Sequence, residues 1–517
     1  MTWQAEVDEI RYRKKLAEGM GGPVGIEKQR TRGKLTVRER FALLADPGSF
    51  QEFNALTGSA VYKENKLDSF TPKASVHGMC KVNGRKVIVS GGDFTVRESQ
   101  AALMMGLGSE PRPNERAREW RIPYIRLLDA VGGSVKSFAD LGRTYLPDGN
   151  IWSTVDIELL TMVPVVSAVL GSVAGLPAVE ACFAHFNVMV KGISQLFPGG
   201  PPVVKAALGQ EISKEELGGE QVHAYKSGVV DNLAETEAEA LQMIKQFLSY
   251  LPDNVWEMPP HIESKDDPER CDEELLSVIP RSRQQPYDPY SVLKGALDLG
   301  SFFEISPLYG RGRITGLARV NGYPVGVMIN NIKHLGGSTD VAAGNKVIRL
   351  LQLCETFHLP LVSFVDEPGF MVGLESELQG IERAGARLVT AVCRSKIPWI
   401  SFIMRQVYGV GGQCQHRPTG MYRRYAWPSG RWGSMHVAGG AAAAYRRIIE
   451  SAENPEEKLK EVEEMLKTLD SPFKTAEAAG TDIIDPRETR YLLCEFIDES
   501  QKILKTQLGQ TAAPYIP

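Results

Sequence analysis

The 517-residue chain lacks the sequence features that mark membrane, secreted and nucleic-acid-binding proteins. No apolar run approaches the roughly 20 residues that a membrane-spanning helix needs. The N-terminal stretch, MTWQAEVDEIRYRKKLAEG, is charged throughout and contains no apolar core of a signal peptide. The formal net charge is only −4, so the composition gives no basic footprint for nucleic acid. We therefore expect a cytoplasmic protein that binds neither nucleic acid nor membranes.

Motifs for metal, nucleophilic or nucleotide chemistry are also missing. The seven cysteines form no C-x-x-C pair, which favours reduced thiols over disulfides or a zinc site. The chain contains no G-x-S-x-G, no H-E-x-x-H and no G-x-x-x-x-G-K-[ST]. Lone histidines such as His185 and His223 are expected to be structural. We therefore expect neither a metal in this chain nor a side-chain nucleophile.

What the chain does have is an internal repeat. Residues 397–412, IPWISFIMRQVYGVGG, run from an apolar segment into a glycine-rich turn, which predicts a buried strand entering a tight turn. Residues 163–177, VPVVSAVLGSVAGLP, have the same layout 234 residues earlier (163 to 397), so that Gly175 matches Gly409. Three further pairs of segments match in the same order: 46–52 with 298–304, 81–87 with 319–325, and 121–129 with 358–366.

The repeat predicts the fold class. Each copy begins with two strands joined by an Asn-Gly turn and continues through a helix to a short strand that ends in Asp129 or Asp366. A second helix and the strand before the glycine turn follow. Alternating strands and helices predict an α/β fold with largely parallel strands, duplicated in tandem. A carboxylate at the end of such a strand is often a helix cap.

Polar, proline-rich residues mark the boundary between the copies. We place an N-terminal domain at residues 1–255, a linker with at most one short helix at 256–289, and a C-terminal domain at 290–517. Thr36, with Glu39 at the capping-box position, predicts the start of a helix. Two more helices are predicted at 455–469 and 488–507.

The two glycine turns support a chemical hypothesis. Backbone N–H groups in such a turn can form an oxyanion hole, which gains strength where water is excluded. A thioester enolate is a natural ligand, because deprotonation next to a thioester places negative charge on the carbonyl oxygen. Two turns that face each other would hold two oxyanions, one on each of two reactants. The alternative is that Gly175 and Gly409 are only tight turns.

A basic stretch, RTRGKLTVRER at residues 30–40, has two interpretations. It is either a solvated basic surface or a site that attracts a phosphate-rich ligand.

Beyond these patterns, the chain resembles a known family. The resemblance lies in the segments RGKLTVRER (32–40), DPGSF (46–50), DFT (93–95), GGPPVVK (199–205), ELGG (216–219), GFMVG (369–373), WP (427–428) and DPRET (485–489). On these segments the sequence is similar, over nearly its whole length, to the carboxyltransferase (β) subunits of biotin-dependent acyl-CoA carboxylases of the propionyl-CoA and 3-methylcrotonyl-CoA type.

The resemblance implies a fold, an assembly and a reaction. It implies two crotonase-like domains (ClpP/crotonase superfamily) and a hexamer of face-to-face dimers, with each active site between the N-domain of one subunit and the C-domain of its partner. Acyl-CoA would lie against the first turn and carboxybiotin against the second. Carboxybiotin would release CO₂, its nitrogen would take a proton from the acyl-CoA, and the enolate would attack CO₂ at its α or vinylogous γ carbon.

The resemblance also assigns roles to residues. The catalytic backbone donors would be Gly175 and Leu176 for the thioester oxygen, and Gly409, Val410 and Gly411 for the biotin ureido oxygen. The residues expected to bind the acyl-CoA substrate are Gly132, Gly133, Ala174, Arg32 and Lys34, and those expected to bind biotin are Tyr408, Gly412, Gly369 and Phe370. The chain has no Met-Lys-Met attachment site and no ATP-grasp region, so a separate biotin carboxylase and biotin carrier subunit is expected as a partner.

Several residues depart from the family pattern. The usual Ala-Gly-Gly-Ala of the first turn is Ala-Gly-Leu-Pro at 174–177, and the proline has no N–H. The second turn is followed by Arg417, Arg423, Arg424 and Arg431. These arginines indicate a solvated or subunit-facing cluster, an acidic acyl group, or an altered biotin geometry. Two alternatives therefore stay open beside the carboxyltransferase: a decarboxylase of a carboxyacyl-CoA that does or does not use biotin, and a non-catalytic assembly subunit.

Overall fold

The computed structural model describes residues 2–99, 111–132, 142–144, 150–282, 285–417, 419–469, 471–511 and 515–517. It divides the chain into two compact units. The first comprises Met1–Glu257 with Ala512–Tyr515 and Pro517, and the second comprises Met258–Thr511 with Ile516. The assignment of residues 256–289 as an interdomain linker stays a prediction.

The first unit is built on a mixed sheet. Its described strands are β1 (Gln51–Glu52), β2 (Gly58–Lys63), β3 (Lys66–Pro72), β4 (Ser75–Val82), β5 (Arg85–Gly92), β6 (Tyr124–Leu128), β7 (Val165–Val169), β8 (Ser172–Ala174), β9 (Phe186–Val190), β10 (Gln195–Phe197) and β11 (Asn232–Ala234). The sheet order is β1-β4-β5-β6-β7-β9-β11, antiparallel up to β5 and parallel beyond it. Strands β7 and β9 are buried along their whole length, as expected for parallel strands covered on both faces.

Helices and two small ribbons complete the first unit. The ribbons are β2 with β3, which is antiparallel, and β8 with β10, which is parallel. The described helices are α1 (Gln4–Glu18), α2 (Gly22–Arg30), α3 (Val37–Leu44), α4 (Pro113–Trp120), α5 (Asn150–Leu159), α6 (Leu176–Glu180), α7 (Pro201–Leu208), α8 (Lys214–Gly218), α9 (Glu220–Val222) and α10 (Glu237–Ser249).

The second unit repeats this architecture. Its described strands are β12 (Phe303–Ile305), β13 (Arg313–Val320), β14 (Tyr323–Asn330), β15 (Leu361–Glu367), β16 (Trp399–Tyr408), β17 (Tyr422–Ala426), β18 (Arg431–Gly433) and β19 (Asp482–Ile483). The order is β12-β13-β14-β15-β16-β17-β19, and β18 pairs with the far end of β16. The described helices are α11 (Pro289–Ala296), α12 (Val341–Phe357), α13 (Leu374–Leu378), α14 (Ile381–Arg394), α15 (Gly409–Gln413), α16 (Val437–Ala444), α17 (Arg446–Glu450), α18 (Pro455–Leu469), α19 (Pro472–Ala479) and α20 (Thr489–Lys505).

The repeated sequence segments contact each other inside each unit. The β4–β5 turn has Asn83 and Gly84 at φ 50° and 82°, as a tight hairpin of this kind requires. The carboxylate of Asp46 accepts the N–H groups of both turn residues, at 3.0 and 2.7 Å. The second unit has the same arrangement, in which Asp298 accepts the N–H groups at residues 321 and 322 at 3.0 and 2.8 Å. The predicted duplication of an α/β domain is therefore confirmed at the level of individual hydrogen bonds.

The two copies differ before their glycine turns. In the second unit, β16 runs without a break to Tyr408, and Gly409 follows directly. In the first unit, β7 ends at Val169, and the chain forms the short strand β8 before it reaches Gly175. The sequence prediction of one continuous strand is therefore wrong for the first copy. The reason is that β8 leaves the main sheet to pair with β10.

The two aspartates at the strand ends are buried in ion pairs and are not helix caps. Asp129 follows β6 and accepts Lys34 Nζ at 2.8 and 2.9 Å and Arg40 Nη1 at 3.2 Å. Asp366 lies in β15, where Arg405 approaches it at 2.9 Å and the Tyr287 hydroxyl donates to it at 3.0 Å. Each carboxylate is fully buried. The expectation of a cap is therefore wrong at both positions.

Several local predictions are confirmed. Thr36 caps α3, and the reciprocal bond from its backbone N–H to Glu39 completes the capping box. The charged helix spans Pro455–Leu469, and the last helix spans Thr489–Lys505. In the described part of residues 256–289, one short 3-10 turn, Glu273–Leu276, precedes α11, which begins at Pro289.

All seven cysteines are free thiols. Among the residues described, no helix is both long and apolar enough to cross a membrane.

The buried cation Arg40 gives a stability prediction. Its guanidinium binds Glu237 at 2.6 Å as well as Asp129, and its side chain is 1% exposed. Arg40→Met leaves two buried carboxylates without this cation, so we expect a loss of about 3–5 kcal/mol from the free energy of unfolding of the first unit. Denaturant titration measures the loss.

Arg30→Met is the matched control. Arg30 pairs with Glu39 at the surface, where its side chain is 58% exposed, and its loss should cost less than about 1 kcal/mol. Equal stability of the two variants would contradict the assignment of Arg40 as the cation that neutralises this buried site.

Candidate functional site: two glycine turns

The first glycine turn connects β8 to α6. Gly175 has φ 72°, a conformation that side-chain-bearing residues rarely adopt, and α6 begins at the next residue. The N–H of Gly175 donates to the carbonyl oxygen of Phe197 at 3.1 Å, which extends the β8–β10 pairing by one bond. The expectation that Gly175 offers a free donor is therefore wrong. Leu176, the first helical residue, has no intrahelical acceptor for its N–H, and Pro177 has no N–H.

A second loop lies against this turn. Gly132 follows the end of β6, and a Cβ built on it would lie 2.8 Å from the carbonyl oxygen of Ala174 and 3.3 Å from the Cα of Gly175. Only a glycine allows the two backbones to approach this closely. The loop after β6 therefore packs directly against the backbone of the first glycine turn. The predicted substrate-binding residue Gly133 lies outside the described residues.

The second glycine turn follows the same plan. Gly409 has φ 60° and begins α15 directly after β16. A Cβ on Gly411 would lie 2.9 Å from the carbonyl carbon of Gly369 and 2.9 Å from the nitrogen of Phe370. The loop after β15 thus touches the second turn, just as the loop after β6 touches the first. In the second unit the two backbone segments meet at the carboxyl ends of the adjacent parallel strands β15 and β16, whereas in the first unit the loop after β6 meets the turn after β8.

Strand β18 packs beside the second glycine turn. The pairing of β16 with β18 places Gly433 beside Tyr408. Tyr408 is buried, and its ring lies edge-on to His436 with the ring centres 5.3 Å apart. The carbonyl oxygen of Ser434 would lie 3.6 Å from a Cβ on Gly409. Tyr408 therefore packs beside the second glycine turn, between the turn and β18.

The four arginines after the second turn do not form one cluster. Arg423 and Arg424 pair with Ile400 and Ser401 near the start of β16, whereas the glycine turn follows its end. Tyr408 lies seven residue steps along the strand from Ser401, which is about 23 Å at 3.3 Å per step. Arg431, in contrast, pairs with Gln406 near the turn.

Arg417 belongs to the distant group, because its Nη1 donates to the carbonyl oxygen of Ile397 at 3.1 Å. His416 accepts Arg424 Nη1 at 2.9 Å, and burial together with this guanidinium lowers the pKa of His416 to about 4. Three of the four arginines are thus explained by contacts remote from the turn, which corrects the interpretation of a basic cluster at the site.

The basic stretch at residues 30–40 divides in a similar way. Lys34 is buried, and its ammonium lies 4.1 Å from the ring centre of Phe94 and 2.8 Å from Oδ1 of Asp129. Burial lowers the pKa of Lys34, although Asp129 opposes this shift. Arg32 is exposed, with its guanidinium carbon 5.6 Å from the same ring. Arg32 is therefore accessible to solvent, whereas the charge of Lys34 is neutralised by Asp129.

The sequence analysis missed a set of buried polar residues behind the second turn: Arg313, Asn330, Thr339, Glu367 and Gln415. They are far apart in the sequence and belong to no motif. The acidic pair Asp366-Glu367 at the end of a buried strand was the only signal available. Within the described residues, no group of three or more His, Cys, Asp or Glu side chains could hold a metal ion.

Comparison with known proteins gives a consistent result. A family profile described as a carboxyl transferase domain matches residues 28–506. The chain is 33% identical over 500 residues to a propionyl-CoA carboxylase carboxyltransferase subunit from Haloferax mediterranei, covering 95% of each chain. It is 31% identical to the methylmalonyl-CoA decarboxylase subunit alpha of Veillonella parvula, covering 95% of this chain and 94% of that one.

Solved structures agree. The fold matches the transcarboxylase 12S hexamer, solved with methylmalonyl-coenzyme A and methylmalonic acid bound, with a TM-score of 0.87 and 28% identity. The match covers 99% of this chain and 97% of that one.

The close approach of the paired loops gives an activity prediction. Gly132→Ala and Gly411→Ala each place a methyl group within 3 Å of neighbouring backbone, so the loops must separate. We expect kcat/KM for a thioester substrate to fall about 100-fold in each variant, because displacements near 1 Å have effects of this size. Gly344→Ala, whose Cβ meets only a methyl group at 3.9 Å, is the control and should keep full activity. Full activity of both loop variants would contradict a role for these contacts.

The division of the arginines gives a second prediction. Arg423→Gln and Arg424→Gln lie at the far end of β16 and should leave kcat/KM within about twofold of the unmodified value. Steady-state kinetics on both variants provides the test. A tenfold loss in either one would mean that this end of the sheet takes part in catalysis.

Proposed function

The chain belongs to the carboxyl transferase family, and from this membership we propose that it moves a carboxyl group between carboxybiotin and the α (or vinylogous γ) carbon of an acyl-CoA. The observation that carries the proposal is the pair of touching glycine loops in each unit, Gly132 with Gly175 and Gly369 with Gly411. Such pairs direct backbone N–H groups, which need no reorganisation during a reaction, toward a developing negative charge.

The first pair of loops suits a thioester enolate. Removal of the proton next to the thioester moves an electron pair onto the carbonyl oxygen, and N–H groups at 2.7–3.1 Å stabilise that oxygen. We assign one donor to Leu176. The second would come from Gly132, in place of the N–H of Gly175, which already donates to Phe197. This arrangement draws one donor from each of two loops, so their contact sets the distance between the donors.

We assign the second pair of loops to the ureido ring of biotin. The contacts of Gly411 with residues 369 and 370 leave a backbone cradle that a single Cβ would fill. Val410 and Gly411, in the first turn of α15, have N–H groups without intrahelical acceptors. Carboxybiotin, when bound, supplies CO₂ and a ring nitrogen that accepts the α-proton. The chain's own residues hold the ureido oxygen through these N–H groups and enclose the site with Tyr408.

Partners and assembly follow from the same assignment. We propose residues 1–255 as the acyl-CoA side and 290–517 as the biotin side. Biotin would be carried on a separate biotin carboxylase and carrier subunit, since the sequence has no Met-Lys-Met. The exposed Arg32 would meet a phosphate of coenzyme A. The similar transcarboxylase 12S core assembles as a hexamer, and we propose that this chain also forms face-to-face dimers within a hexamer.

A decarboxylase is the second candidate. Two similar proteins, from Veillonella parvula and Propionigenium modestum, are methylmalonyl-CoA decarboxylase alpha subunits at 31% identity. Decarboxylation would use the same two oxyanion holes, because loss of a carboxyl group from the acyl-CoA also leaves an enolate. A purely structural subunit would have no need for the close backbone contacts at both turns.

Free biotin distinguishes the candidates. The purified chain is mixed with methylmalonyl-CoA with and without biotin, and propionyl-CoA is followed by liquid chromatography. We expect turnover at least tenfold faster with biotin, which accepts the carboxyl group. Equal turnover in both mixtures would establish a biotin-independent decarboxylase. No turnover of methylmalonyl-CoA or of other carboxyacyl-CoA thioesters would contradict both candidates.

A further inference from the structure

The second glycine turn is supported from behind by one buried carboxylate. Glu367 is the last residue of β15 and has no exposed surface. Its Oε1 accepts the N–H of Gly369 at 3.0 Å. Its Oε2 accepts Thr339 Oγ1 at 2.6 Å, Asn330 Nδ2 at 3.0 Å and Gln415 Nε2 at 3.1 Å. The same oxygen also accepts Arg313 Nη2.

Gln415 connects this carboxylate to the glycine turn. Its Nε2 donates to the carbonyl oxygen of Gly411 at 3.1 Å as well as to Glu367. Its Oε1 accepts Arg313 Nη1 at 2.9 Å. Its backbone oxygen accepts the Ser401 hydroxyl at 3.0 Å. The side-chain amide therefore has little rotational freedom, and its orientation fixes the peptide that follows Gly411.

Thr339 holds the facing loop to the same carboxylate. Its N–H donates to the carbonyl oxygen of Gly369 at 3.1 Å, and its own carbonyl oxygen accepts the N–H of Met371 at 2.9 Å. Its hydroxyl donates to Glu367. Both backbone segments of the second site are thus bonded to the carboxylate of Glu367. The loop at Gly369 is bonded to it directly and through Thr339, and the glycine turn is bonded to it through Gln415.

The charge of the network is balanced locally. Arg313 is 1% exposed and faces Glu367, so the pair adds no net charge behind the turn. A buried ion pair of this kind is weak evidence for stability, because desolvation offsets most of the attraction. The ion pair and its hydrogen bonds instead orient their neighbours, because a fully satisfied buried network fixes the groups that it contacts in one arrangement.

In the described part of the first unit, no matching network lies behind the glycine turn. The repeat that matches Asp129 with Asp366 places Ala130 at the position of Glu367. The same repeat, at the offset of the turns, places Ala181 at the position of Gln415. The first turn is fixed instead by the bond from the N–H of Gly175 to β10. Among the residues that the structure describes, the buried network therefore belongs to the second turn.

We propose that Glu367, Arg313 and Gln415 are positioning residues that set the donor geometry of the second turn and so control the use of biotin but not the binding of acyl-CoA. The inference rests on the proposed function of the second turn as the biotin side. It deepens that function by assigning residues that touch neither reactant. The distances among the N–H donors of Val410, Gly411 and the facing loop then depend on the amide of Gln415.

Gln415→Met is the primary test, because methionine keeps the approximate volume of the side chain and removes the hydrogen bonds of the side-chain amide. Carboxyl transfer from methylmalonyl-CoA to free biotin is measured at varied biotin concentration. The dissociation constant of propionyl-CoA is measured separately by calorimetry. We expect kcat/KM for biotin to fall about 100-fold while the affinity for propionyl-CoA stays within about twofold.

Gln413→Met is the matched control. Gln413 is exposed on the same short helix and forms no part of the network, so this variant should behave as the unmodified chain. Glu367→Gln is a second variant with nearly unchanged shape, and it should show the same selective loss. It leaves the guanidinium of Arg313 unpaired in the interior, so Gln415→Met remains decisive if Glu367→Gln does not fold.

Two results would overturn the inference. One is a Gln415→Met variant with unchanged kcat/KM for biotin. The other is an equal loss of biotin use and propionyl-CoA affinity, which would indicate a general structural defect. If the unmodified chain binds propionyl-CoA but shows no biotin-dependent transfer, the proposed function itself fails, and the inference fails with it.

Discussion

The structure depends on a steric constraint: in each unit, two backbone segments meet at a distance that leaves no room for a side chain. Gly132 lies against the carbonyl oxygen of Ala174, and Gly411 lies against the loop at Gly369. Such contacts bring N–H groups from separate parts of the chain to one point without using any side chain. This explains why the sequence contains two glycine turns in register and no nucleophile or metal motif near them.

Buried charges hold the strand ends that carry these loops. Asp129 and Asp366 occupy matching positions, and each is neutralised by cations from a different part of its own unit, Lys34 with Arg40 and Arg405. Breaking a buried pair is costly even where forming it adds little stability, so these contacts specify position more than they add stability. The second unit adds Glu367, and the loops on both sides of its turn converge on that one carboxylate.

The sequence predicted the fold well where local patterns and the repeat agreed. The Asn-Gly hairpin turns, the capping box at Thr36 and the helix at Pro455–Leu469 each follow from residues close together in the chain. Predictions failed where the outcome depended on distant partners. The N–H of Gly175 donates to Phe197 because β8 leaves the main sheet and pairs with β10. Nothing within the sequence of the turn indicates the pairing with β10. Lys34 looked like a surface cation because its partner, Asp129, is 95 residues away.

The most direct test of this account is a crystal structure with a bound acyl-CoA. The account predicts that the thioester oxygen lies 2.7–3.1 Å from the N–H of Leu176 and within the same range of the N–H of Gly132, as an oxyanion hole requires. A thioester oxygen held by a side chain, or bound away from Leu176, would contradict it.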